Sequence, residues 1–206
     1  GALVTLCMAT IFFWAIFEQQ GNTLQIWADE KADWARLGLE AENYQSLNPF
    51  FIFLFAPLLD MWWTFRARKG AKSSSVRKMA VGSCLAGAAF LIIPLASNFV
   101  TLDKSLTNMF WLTLTTWMFT MGELYLSPIG LSFVTKVAPA RLMSMMMGMW
   151  FTSSFIGNYL AGYLGTFYTS MSQTSFFMLF AIMGFVIGVF FFISEKKIQA
   201  IVGHDV

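Results

Sequence analysis

A carboxylate in the middle of a largely apolar run is the first feature of this sequence that could do chemistry. Glu123 lies within the stretch from Met109 to Val134, and an ionisable group at bilayer depth costs a few kcal/mol, so something must hold it there. Ser127 follows four residues later and projects from the same helical face. Pro128 frees a backbone carbonyl one turn back that needs another partner. That face therefore reads as polar, kinkable and turned toward a cavity. A second deep carboxylate, Glu18, occurs in FWAIFEQQG, Phe13 to Gly21, at i+4 from Trp14 and beside Gln19, Gln20 and Asn22. Asn48 precedes Pro49 in YQSLNP, where it either repairs the backbone that proline interrupts or offers a polar contact to a ligand. Trp150 and Phe151, in MMGMWF, supply large flat surfaces that could wall the same cavity, with the methionines between Met143 and Met149 as adaptable packing at its border.

Two deep carboxylates can carry protons or hold an ammonium group. Other chemistries find no support. Cys7 and Cys84 fall inside apolar segments without metal-ligand spacing and read as small packing residues, and His204 lies in a polar tail. No phosphate loop, dinucleotide-binding glycine pattern or nucleophile motif is present, so the sequence predicts neither an enzyme nor a nucleotide cofactor. No nucleic-acid partner is expected.

The elements that must position these residues are membrane spans. Of 206 residues, 57% are hydrophobic and only 12% charged, about half the charged share of an ordinary soluble domain. Six apolar segments approach or exceed the roughly 20 residues needed to cross a bilayer core: 2–26, 44–65, 79–96, 108–136, 142–168 and 175–194. Between them lie a charged surface loop with a short helix at 29–43 and a basic loop at 66–78. Pro49 and Pro57 predict kinks or a break in the second span. Gly157, Ala161 and Gly165 form a small-residue seam in the fifth, and Gly184 and Gly188 do the same in the sixth. Ten basic residues, from Arg66 to Lys78 with Lys136, Arg141, Lys196 and Lys197, fall on one side, against Lys31, Arg36 and Lys104 on the other. The first side is then cytoplasmic, and both chain ends share it. Anionic lipid binding is a lesser reading of the basic loop. A cytoplasmic salt bridge between Asp60 and Arg141 is a further option. The chain begins at Gly1 and enters a hydrophobic run at once, which reads as a piece of something longer.

Three motifs in this order, FWAIFEQQG, YQSLNPFFIFLFAPLL and GELYLSPIGLSFVTKVAPARL with MMGMWF, resemble the carboxy-terminal half of a proton-coupled oligopeptide transporter of the major facilitator superfamily. The resemblance covers the whole chain, 1–206, as helices seven to twelve of twelve. It implies an all-α integral membrane bundle of two inverted three-helix repeats, facing an amino-terminal half across a central peptide cavity. It implies a symporter that imports di- and tripeptides by alternating access with the proton as coupling ion. Glu123 and Asn48 match the residues that hold the peptide amino end, Ser127 the serine of the SPIG run, and Trp14 and Trp150 the aromatic pocket, with Phe151 beside it. Glu18 matches a glutamate expected to pair with an arginine of the other half and to serve gating or proton coupling. The short link between the third and fourth spans resembles bacterial members, which implies a bacterial inner membrane. Two other classes stay open: a channel, although its polar groups are few and chemically mixed, and a structural membrane subunit.

Overall fold

Backbone N–H and C=O groups find no water in hydrocarbon, and the α-helix satisfies them within one segment. The computed structural model describes residues 2–32, 41–70, 74–103 and 109–202, and these are helical apart from short links, with no strand among them. The helices are α1 (Ala2–Phe17), α2 (Thr23–Lys31), α3 (Leu47–Arg68), α4 (Ser75–Asp103), α5 (Met109–Val137), α6 (Met143–Gly165) and α7 (Gln173–Val202). Short 3-10 turns stand at Glu18–Gly21, Ala41–Ser46, Ala140–Leu142 and Thr166–Thr169. Each span read from the sequence overlaps a helix.

Four stretches among the described residues are long and apolar enough to cross a membrane: Leu3–Lys31, Asn43–Arg68, Ser75–Ala96 and Gln173–Ile201. Helices α5 and α6 have the length, 29 and 23 residues, but are diluted by Thr113, Thr115, Thr116, Thr120 and Glu123 in one and by Thr152, Ser153, Ser154 and Asn158 in the other. The helices with the most polar interiors are those that carry the candidate site.

Two local expectations change. The second span does not break at its prolines, because α3 runs unbroken through Pro57. Pro49 sits in its first turn, where the missing N–H has no helical partner to lose. The break falls instead in the first span, at Glu18–Gly21, where polar side chains can take over backbone hydrogen bonds. The sixth helix also runs past Ser194 to Val202. Glu195 is buried there, accepting 3.1 Å from Arg77 Nε and 2.6 Å from Ser74 Oγ. Of the surface loop at 29–43, residues 33–40 lie outside the described residues, as do Lys104 and His204.

Small residues set the packing. Helix α4 lies between α5 and α7. It meets α5 where a Cβ on Gly82 would stand 2.6 Å from the Gly122 carbonyl oxygen, and α7 where one on Gly184 would stand 2.5 Å from Gly87 Cα. Cys84 fills the slot at Gly188, the packing role its apolar surroundings predict. Phe90, on α4, anchors the core against Phe119, Phe177 and Phe180. The seam on α6 receives α1, with Gly157 directly under Trp14 Cβ. Helix α3 stands apart, packed mainly on α5, with only Phe51 and Leu59 buried.

Candidate functional site: a carboxylate cluster at the helix break

The site starts at the first turn of α3. The Asn48 side-chain amide donates to Glu123 Oε2 at 3.0 Å and to Thr120 Oγ1 at 3.1 Å. Thr120 can accept because its own proton goes to the Thr116 carbonyl one turn back, at 2.9 Å, which leaves its lone pairs free. One oxygen of Glu123 is thus fixed by a neutral donor from another helix, and its Oε1 carries no hydrogen bond among the described residues.

Glu18 opens the 3-10 turn that follows α1. With the Asn158 amide nitrogen turned toward it, that nitrogen donates to Glu18 Oε1 at 3.0 Å and to the Ser154 carbonyl at 3.2 Å. Glu18 and Asn48 line the same cavity of about 160 Å³, together with Phe17, Gln20, Gly21 and Gln45. Glu18 and Glu123 are near enough to sense each other's charge. The ion pair formed among the described residues is Arg77–Glu195, at the far end of α7. Neither deep carboxylate meets a Lys or Arg there, so both can receive a proton or an exogenous cation.

The helix break is itself built. Gln19 is fully buried and donates to the Ala161 carbonyl of α6 at 2.9 Å and to the Ala15 carbonyl at 3.4 Å, while Thr23 donates to its Oε1 at 2.7 Å. One side chain therefore bridges the interrupted helix and ties it to α6. A buried polar group with its donors and acceptors met costs little, and this one is met on both sides.

The other predicted residues are distributed around this centre. Trp14 lies half-buried with its Cβ against Gly157 and its ring edge-on to Phe13 and Phe17. Trp150 is buried with its ring against Gly130 of α5, where a Cβ would collide with it, so it packs α6 on α5. Ser127 lies half-buried one turn beyond Glu123. Phe151 is exposed. Asp60 does not pair with Arg141 and lies instead in range of Lys78, whose ammonium stacks over Trp63 at 4.3 Å.

Sequence reading missed Asn158, Gln45, Thr120 and the bridging role of Gln19. The signal for Asn158 was available: Ser154 and Asn158 are four apart and interrupt an otherwise small-residue seam with polar groups. No group of three His, Cys, Asp or Glu that could hold a metal occurs among the described residues.

The family profile described as PTR2, the POT family, matches residues 1–178. The chain belongs to the POT family. Among its relatives, the peptide transporter YePEPT of Yersinia enterocolitica is 35% identical over 163 residues, 78% of this chain and 32% of the relative. A di-/tripeptide transporter of Lactococcus lactis subsp. cremoris is 29% identical over 208 residues, 98% of this chain and 41% of the relative. The crystal structure of a peptide transporter POT in complex with sulfate superimposes with a TM-score of 0.88 at 30% identity, covering 98% of this POT chain and 41% of that one. This POT chain thus spans 32–41% of the length of these relatives.

Proposed function

We propose that this chain forms the carboxy-terminal six-helix half of a proton-coupled symporter for di- and tripeptides, with Glu123 and Asn48 receiving the peptide ammonium and Glu18 carrying the coupling proton. The observation that carries this reading is the cluster at the helix break: Glu123 is held through one oxygen by Asn48, its other oxygen takes no hydrogen bond among the described residues, and Asn48 lines one cavity with Glu18. A peptide ammonium and a proton compete for the same carboxylate oxygens, so two such groups within electrostatic range of each other can exchange one cation for the other. Membership in the POT family and the peptide transporters among its relatives support the substrate class.

The principal packing pairs support a two-repeat architecture. Helix α1 packs on α6 and α7, α5 on α3 and α4, and α4 on α7. Exchanging α1, α3 and α4 for α5, α6 and α7 leaves that set unchanged, as two related three-helix units require. In this reading α1 with α2, α3, α4, α5, α6 and α7 are six spans that rock against an amino-terminal half, which supplies cationic groups for the peptide carboxylate. The bundle end where Arg77, Lys78 and Lys136 gather is the cytoplasmic one by the positive-inside rule, in a bacterial inner membrane.

The test uses the complete transporter in proteoliposomes. Glu18→Gln is expected to retain peptide counterflow at equal proton concentration and to lose uphill accumulation driven by a proton gradient. Peptide still concentrated against its gradient by this variant would remove Glu18 from the coupling role, and proton flux without added peptide would favour a channel.

A further inference from the structure

A hydrogen bond to Glu18 comes from a residue to which the reading above gives no role. Asn158 sits in the middle of α6, a helix without a charged side chain from Met143 to Gly165. It rises between Gly157, which lets α1 approach until Trp14 Cβ would crowd any side chain there, and Ala161, whose carbonyl takes Gln19. Glu18 is therefore clamped to α6 on two sides. The backbone beside it is held through Gln19 and its carboxylate through Asn158.

We propose that Asn158 is the positioning residue that holds the Glu18 side chain in both of its protonation states. With its nitrogen toward Glu18, 3.0 Å from Oε1, the amide donates to a carboxylate. Turned over, its oxygen accepts from the carboxylic acid at the same place. A side-chain amide is suited to this because one rotation exchanges donor for acceptor with no change of volume. A serine or leucine cannot match both that reach and that symmetry. The inference rests on the assignment of Glu18 to proton coupling.

The other charged group facing Glu18 is Glu123 on α5. Helix α1 carries no Asp, Glu, Lys or Arg, α6 carries none, α3 has none before Asp60, and α2, which packs on the Glu18–Gly21 turn, carries Asp29, Glu30 and Lys31 at its far end. Alongside the arginine that the resemblance implies on the other half, the partner at Oε1 helps set at what pH Glu18 gains and loses its proton. A hydrogen bond to a charged group is worth more than one to its neutral form by roughly 1 kcal/mol. Losing Asn158 therefore favours the protonated acid, and at 1.36 kcal/mol per pH unit the transition moves by about one unit.

The experiment is gradient-driven uptake by the complete transporter against pH, each variant normalised to its own maximum, for wild type, Asn158→Leu, Asn158→Asp and Glu18→Gln. The expected result is a midpoint about one unit higher for Asn158→Leu. The isosteric Asn158→Asp should move it further upward, because two acids then share one proton. Profiles that superimpose on wild type for both Asn158 variants, while Glu18→Gln abolishes accumulation, would overturn this inference and leave the coupling role of Glu18 standing. Accumulation retained by Glu18→Gln would overturn the coupling role and this inference together. If Asn158→Leu does not fold, the decision falls to Asn158→Asp, which keeps the shape of the side chain.

Discussion

Glu123→Gln isolates one charge at the candidate site, because only one of the two oxygens it would alter is hydrogen-bonded among the described residues. Oε2 accepts from Asn48 at 3.0 Å, and an amide oxygen takes that bond equally well, so the α3–α5 contact is kept. Oε1, which takes no hydrogen bond among the described residues, is the oxygen that the proposed function gives to the peptide ammonium. In the variant an NH₂ stands there, and a donor faces a donor. The lost interaction is a charge-assisted hydrogen bond worth about 1.5–3 kcal/mol, which at 1.4 kcal/mol per decade is a loss of roughly 10- to 150-fold in affinity. Calorimetric titration of the complete transporter with a dipeptide and with its des-amino analogue makes the comparison. The dipeptide is expected to weaken by that factor and the analogue by less than about threefold. Equal losses for both ligands would show that the variant damages the pocket instead of removing an ammonium contact, and wild-type affinity for the dipeptide would refute the assignment of Glu123.

Two further predictions concern the frame that holds the cluster. Gly157→Leu puts a Cβ 2.4 Å from Trp14 Cβ and 2.7 Å from the Ile11 carbonyl oxygen. Because backbone must move, a cost of about 1–3 kcal/mol or more is expected, seen as a lower melting temperature in detergent; an unchanged melt would mean that α1 and α6 are not in close contact. Gln19→Leu removes the link to the Ala161 carbonyl and leaves the buried Thr23 hydroxyl without its acceptor, at about 1–3 kcal/mol. Faster amide exchange at the Glu18–Gly21 turn is the expected sign, and unchanged exchange would count against Gln19 as its bridge.

The sequence alone determined that this is a helical membrane protein, where its apolar segments fall, and that Glu18 and Glu123 are the residues to explain. These follow from local quantities: the length of an apolar run against bilayer thickness and the cost of a carboxylate within it. The small residues of the fifth and sixth spans were legible as seams for the same reason, since close approach needs little side chain wherever it occurs. What holds the carboxylates was decided by tertiary structure. Asn48 and Glu123 are 75 residues apart and Gln19 and Ala161 are 142 apart, and no spacing along the chain records such pairs. Proline content pointed to kinks or a break in the second span; α3 continues through Pro57, Pro49 in its first turn loses no hydrogen bond, and the break lies where Gln19 could repair it. That the Trp150 ring lies against Gly130 of the neighbouring helix is likewise a contact that only the tertiary structure supplies. Asn158 was passed over in the sequence, and only the turn after α1 beside it makes this polar interruption of a packing seam the partner of Glu18.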